Sequence, residues 1–232
     1  MGAATLPYLL GSDAPEAAAV AQKAFQLCHS QATAASHNPR GHVLGLIGFG
    51  NIGQQIASKL GHGAFGMKIA YHDVVRKHAG IETSLGASYY DSLDGLLAVS
   101  DCVVLCTPAS DDGRPLIREA TLRAMRPGTR FVNIARGSLV DEEALADAVE
   151  SGHVGAVALD VHAREPAVNA RLVRMAAGLE GDRPGRVMLT CHNAGGTVET
   201  HVGFEELSMR NIMAVLAGKD ALTPVNLHFL RK

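Results

Sequence analysis

Tryptophan is absent from this 232-residue chain, and Phe, Tyr and Trp together make up only 4% of it. An excess of either charge is missing too, since 21 Lys and Arg face 23 Asp and Glu for a formal net charge of −2. With few aromatics and no basic block, nucleic acid is not expected as the main partner. Apolar runs stay far short of the ~20 residues that a membrane span needs, so no membrane partner is expected. Residues 1–11 lack a basic start before their short apolar patch, which does not read as a signal peptide. Residues 229–232 are not a recognised address, and a cytoplasmic location is the expectation.

Cysteine is also scarce: Cys28, Cys102, Cys106 and Cys191. Cys102 and Cys106 lie in an apolar, strand-like run where alternate residues share a face, and they read as buried thiols. A zinc site needs further ligands at defined spacing, and no second Cys pair exists, so no metal site is expected. A reducing compartment argues against disulfides.

What the chain does have is alternation. Apolar, β-branched runs at 43–47, 67–71, 102–106, 130–134, 154–161 and 187–190 read as strands. Helical spacing occupies 92–98, 117–125, 141–149 and 199–216, with Ile52, Ile56 and Leu60 forming another stripe. Asp141 is a plausible N-cap, and Pro127-Gly128 stops the helix before it. Strand and helix in turn imply an α/β fold, a doubly wound parallel sheet of Rossmann type whose strands are covered on both faces. Residues 163–186 read as a surface excursion with a helical turn or two at 170–177. The alanine-rich 17–35 reads as an outlying helix. The expected division is a lead at 1–36, a nucleotide-binding domain at 37–217 and a tail at 218–232.

Between the first strand and its helix stands Gly48-Phe49-Gly50-Asn51-Ile52-Gly53. In that context Gly48 permits a tight turn, Gly50 lets backbone approach a pyrophosphate, and Gly53 lets the helix pack on the strand. The amides of the helix start, Asn51 and Ile52 among them, would face phosphates, aided by the helix dipole. Asp73, twenty residues past Gly53, stands where a carboxylate accepts from adenine ribose hydroxyls. It would repel a 2′-phosphate, so NAD is expected over NADP, although Arg76 and Lys77 nearby weaken that preference. The alternatives are a bare turn for the glycines and a solvated carboxylate for Asp73.

Further stretches carry a resemblance. Residues 125–141, "MRPGTRFVNIARGSLVD", 159–166, "LDVHAREP", 189–192, "LTCH", and 100–108, "SDCVVLCTP", resemble the motifs of the D-isomer-specific 2-hydroxyacid dehydrogenase family. Residues 37–45, "HNPRGHVLG", are similar to its mandelate-type branch. The resemblance implies that His192 is the general acid/base and that Glu165 hydrogen-bonds its imidazole and raises its pKa. It also implies that Arg136 binds the substrate carboxylate and polarises its carbonyl. Asp160 would face the nicotinamide carboxamide, and Thr107, Pro108 and Ala135 would line the cofactor. The implied reaction is hydride transfer between NAD(H) and a small 2-oxo or 2-hydroxy acid, and a homodimer is an assembly the family uses. The chemistry asks for these residue types independently, with a guanidinium fork for a carboxylate and a near-neutral proton donor for the developing alkoxide. Each also has a plain alternative, as a surface ion pair, a loop carboxylate or a strand-end cap. His162 is a lesser candidate that reads as structural.

The chain departs from the family at its front. Members carry a substrate-binding domain on the order of a hundred residues, whereas 42 residues precede the first strand here. A truncated NAD-binding module or pseudoenzyme with little or no turnover is therefore the alternative reading. Cys191 replaces a usual proline, Asn193-Ala194 replaces an apolar and a small residue, Ala163 stands where an acid is common, and 176–186 looks inserted.

Overall fold

A computed structural model describes residues 25–26, 29–30, 34, 36–63, 65–109, 113–178 and 186–224. The tail beyond 224, Cys28 and most of the expected helix at 17–35 lie outside them. The chain divides into two compact units between Cys191 and His192.

The first unit holds a seven-stranded parallel sheet. Its strands are β1 (Val43–Ile47), β2 (Lys68–His72), β3 (Ala87–Tyr89), β4 (Cys102–Leu105), β5 (Thr129–Asn133), β6 (Val154–Leu159) and β7 (Val187–Leu189), in the order β3-β2-β1-β4-β5-β6-β7. The helices between them are α1 (Asn51–Leu60), α2 (Ala79–Leu85), α3 (Leu93–Val99), α4 (Glu119–Ala124), α5 (Glu142–Glu150) and α6 (Ala170–Ala177). The second unit contains α7 (Val198–Leu216). A parallel sheet needs a crossover between neighbours, and the alternating sequence supplies one each time.

Side-chain alternation along each strand feeds two cores. Leu44, Leu46 and Val104 join Phe49, Ala57, Ile69 and Tyr71 on one face. Ile47, Val103 and Leu105 join Leu96, Leu97, Phe131, Leu145 and Leu159 on the other. Burial on both faces is why these strands are continuously apolar.

Register aligns the strand ends. Ile47 pairs with His72 and Leu105, Leu105 with Asn133, Asn133 with Leu159, and Leu159 with Leu189. These six residues form one row at the carboxyl edge. The connection from β1 turns to one side and that of β4 to the other, so the chain's direction of winding switches between them. Open α/β sheets place ligands at that switch point.

Three elements differ from the sequence expectation. α2 and β3 were not expected: α2 carries only the Ile81/Leu85 pair at helical spacing, and β3 is too short for alternation to register. α4 begins at Glu119 rather than 117, because Ile117 bridges Val140 in parallel fashion and exchanges backbone bonds with Leu139 and Asp141. Asp141 does cap α5, its Oδ1 accepting from the Ala144 N–H at 3.1 Å. Cys102 and Cys106 are half-buried rather than fully buried. Burial still pushes their thiols up, to about 11 and about 12 respectively.

Candidate active site at the carboxyl ends of the strands

Every expected site residue of the first unit leaves the carboxyl row within six residues of a strand end. The glycine loop leaves β1, Asp73 leaves β2, and Thr107 and Pro108 leave β4. Ala135 and Arg136 leave β5, while Asp160 and Glu165 leave β6.

The three glycines of the loop are required for different reasons. Gly48 has φ +92, and a Cβ there would lie 2.9 Å from the Cys106 carbonyl oxygen and 3.0 Å from the Thr107 nitrogen. A Cβ at Gly53 would lie 2.5 Å from the Gly48 oxygen. Both glycines are therefore demanded by the protein's own packing of β1, α1 and the end of β4. Gly50 is not: its φ of −75 and ψ of −161 suit any L-residue, and a Cβ there meets nothing within 4 Å. The space over Gly50 is open, and α1 starts there with no side-chain cap and no acidic residue in its first turn. An uncapped helix start presents backbone N–H donors and the positive end of the dipole. Gly50 and the exposed Asn51 and Ile52 thus form a cradle that fits a diphosphate.

Asp73 ties β2 to this loop. Its Oδ2 accepts from the Phe49 N–H at 2.8 Å and from the Lys77 ammonium at 3.0 Å, and its Oδ1 accepts from the Val75 N–H at 3.2 Å. Partial burial raises the carboxyl's pKa, but the bonds from Phe49, Lys77 and Val75 outweigh it and hold the group below its usual range. Both cations that weakened the NAD preference are engaged. Lys77 pairs with Asp73, and Arg76 forms a two-point bridge to Glu82 at 2.9 Å each. Thr107 is half-buried and Pro108 exposed at the end of β4.

A second cluster joins the loops after β5, β6 and β7. Buried Asn133 accepts from the Ala135 N–H and donates to the Arg136 carbonyl, both at 3.0 Å, closing a turn that presents Arg136. Arg136 is exposed and folds one guanidinium nitrogen onto the Ala135 oxygen at 2.6 Å. A Cβ at Gly137 would fall 1.9 Å from the His162 carbonyl carbon, so the two loops touch backbone to backbone. His162 is 6% exposed. Its Nε2 lies 2.9 Å from the Thr190 oxygen and, facing a carbonyl, must carry the proton. Its Nδ1 is buried and meets no hydrogen-bond partner among the described residues. The His162 N–H donates to Glu165 Oε1 at 2.9 Å, and buried Asp160 accepts from the Thr190 hydroxyl at 2.6 Å. One connected cluster therefore carries Arg136, Asp160 and Glu165. His192 opens the second unit, with a left-handed backbone of φ 56.

Residues 14–194 match the profile of "D-isomer specific 2-hydroxyacid dehydrogenase, NAD binding domain". The chain belongs to this family. It is 39% identical over 188 residues to the 4-methyl-2-oxopentanoate reductase A of Aspergillus oryzae, covering 81% of this chain and 53% of that protein. Among solved structures it is similar to the holo form of Rhodotorula graminis D-mandelate dehydrogenase, with TM-score 0.80 and 40% identity over 96% of this chain and 62% of that one. It is also similar to the D-lactate dehydrogenase of Lactobacillus jensenii solved with NAD+, with TM-score 0.72 and 26% identity over 87% and 62% of the two chains. The chain spans about half the length of the curated relatives it matches.

Two surface grooves lie away from the glycine loop. One of about 600 Å³ is lined from α4 and α5 and another of about 420 Å³ by the 140–143 and 163–170 loops, and neither includes a loop glycine. Among the described residues no group of three or more His, Cys, Asp or Glu is placed to hold a metal ion, and no helix is long and apolar enough to cross a membrane. Asn133, Gly137 and Thr190, which the sequence did not single out, hold the loops after β5, β6 and β7 together, and the buried His162 packs among them. Asn133 offered a signal, being an amide side chain two residues before a sharp turn.

Proposed function

We propose that the chain binds NAD(H) across the β1/β4 switch point and interconverts a small 2-oxo acid and its D-2-hydroxy acid. The observation that carries this is the open space at Gly50, in a loop whose other two glycines are filled by the protein's own backbone. The amides of Gly50, Asn51, Ile52 and Gly53 would hold the diphosphate, and Asp73 would accept from the adenine ribose hydroxyls. Thr107, Pro108, Ala135 and Asp160 line the remaining length. The bound nicotinamide supplies or accepts the hydride.

The chain's own residues do the rest. Arg136 offers a planar fork to the substrate carboxylate and polarises the adjacent carbonyl. His192 delivers a proton from a ring nitrogen to the oxygen on which charge develops. Glu165 orients that imidazole, in the manner of other His–carboxylate pairs. Residues 37–217 are read as the working domain, with 1–36 as lead and 218–232 as tail. A cytoplasmic location and a homodimer complete the reading.

The test is NADH oxidation by the purified chain with a panel of 2-oxo acids, alongside Arg136→Ala and His192→Ala. Substrate-dependent oxidation lost in both variants is the expected result, and rates unchanged in either would contradict the assignment. The alternative reading is an NAD-binding module with little or no turnover. Saturable NADH binding without oxidation of any panel member would select it.

A further inference from the structure

Four charged side chains stand at the end of β2 and the start of α2: Asp73, Arg76, Lys77 and Glu82. Two are acidic and two basic, so their sum is zero. The pairing is specific: Lys77 Nζ lies 3.0 Å from Asp73, while Arg76 Nε and Nη2 each lie 2.9 Å from a different oxygen of Glu82. Glu82 is itself fixed. The Tyr71 hydroxyl donates to its Oε1 at 2.7 Å and accepts from the Lys77 N–H at 2.9 Å. Tyr71 is fully buried and stacks on Phe49 of the glycine loop, with ring centroids 4.1 Å apart. The Arg76 guanidinium also lies over the Tyr89 ring, 5.3 Å from its centroid. The fork is therefore held by a helix carboxylate and an aromatic face, although its side chain is 63% exposed.

We infer that Glu82, braced by Tyr71, is a specificity-determining residue that withholds Arg76 from the ribose end of the cofactor and so sets the chain against the 2′-phosphate of NADP(H). The inference rests on the NAD-binding reading and adds to it a residue nine positions beyond Asp73. A 2′-phosphate brings close to two negative charges and seeks a planar, two-point cation. Arg76 has that chemistry and stands three residues past Asp73. Two of its N–H donors already point at Glu82. To use them, the phosphate must displace a carboxylate of like charge that Tyr71 keeps in place. Asp73 repels the phosphate directly, and Glu82 removes the group that would offset that repulsion.

The test is titration of NADH and NADPH, by calorimetry, into the wild type and the variants Glu82→Gln, Arg76→Ala and Glu82→Gln/Arg76→Ala. Glu82→Gln is expected to tighten NADPH by about three- to tenfold, the worth of one exposed guanidinium–phosphate pair, with NADH unchanged. The added Arg76→Ala should erase that gain. Arg76→Ala alone should leave both affinities at wild-type values, because the withheld fork contributes nothing to either. An NADPH affinity unmoved by Glu82→Gln, a gain that survives loss of Arg76, or weaker NADPH binding in Arg76→Ala alone would each overturn the inference while leaving NADH binding intact. A wild type that binds neither dinucleotide would overturn both it and the reading beneath it.

Discussion

Gly50 and Gly53 separate what a ligand needs from what the fold needs. In Gly50→Ala, the new Cβ meets nothing within 4 Å and the backbone is already ordinary for an L-residue. Replacing a glycine N-cap by alanine costs a few tenths to about 1 kcal/mol, and reduced freedom of the unfolded chain returns about 0.4–1 kcal/mol. The net change should stay within about 1 kcal/mol, or roughly 2–4 °C in Tm for a chain of this size. In Gly53→Ala the new Cβ lies 2.5 Å from the Gly48 oxygen, which also accepts from the Cys106 thiol at 3.1 Å. Helix propensity returns about 1 kcal/mol, but overpacking against fixed backbone costs about 1–3 kcal/mol, so a net loss is expected. NADH affinity should respond the other way round for the first variant. A methyl over Gly50 holds the diphosphate off the amides, and losing one charge-assisted bond of about 1.5–3 kcal/mol weakens binding by about tenfold or more. Thermal melts and NADH titrations of both variants read these numbers. A Gly50→Ala protein that binds NADH like the wild type, or that loses about 3 kcal/mol of stability, would refute the reasoning.

Gly137→Ala places a Cβ 1.9 Å from the His162 carbonyl carbon; backbone must move, and a loss of about 3 kcal/mol should appear in denaturant unfolding, with a wild-type midpoint contradicting the contact. Asn133→Ala strips the side-chain partner of the Ala135 N–H and one of the donors to the Arg136 carbonyl, which keeps the Leu139 N–H; about 1–3 kcal/mol is expected from the one orphaned group, again read by chemical denaturation, and a loss near zero would mean that water replaces the amide. The pair Glu82 and Tyr71 predicts opposite pH limits. The Arg76 bond and then the Tyr71 hydroxyl lower Glu82 from 4.5 to about 2, so its contribution to stability is present above 4.5 and is lost as pH falls toward 2. Burial and then the Glu82 bond raise Tyr71 from 10.0 to about 12, so its contribution is present below 10 and is lost as pH rises through 12. Phenolate absorbance should show one of the four tyrosines ionising about 2 units later than free tyrosine, and four coincident titrations near 10 would contradict the burial of Tyr71.

The sheet was legible because parallel strands buried on both faces read as unbroken apolar runs, and Gly and Pro punctuate them. β1 begins and ends where its apolar run does, and the glycine loop follows from its place between strand and helix. α2 and β3 were missed because a seven-residue helix with one apolar pair, followed by a three-residue strand, leaves no period to detect. The site was legible only as residue types. That Asp73 is satisfied by Phe49, 24 positions away, depends on how β1 and β2 pair. Likewise, the Arg76 partner lies on a helix the sequence did not announce. His162, read as structural, is held by its backbone against Glu165 and by its ring against Thr190, 28 positions on. Such contacts are set by register among strand ends, and no local pattern encodes them.

The most direct measurement is a calorimetric titration of NADH into the purified wild-type chain at moderate ionic strength. The account predicts saturable binding at one site per chain, with an accompanying rise in Tm from ligand linkage. Absence of binding heat at saturating NADH, together with an unshifted melt, would contradict it.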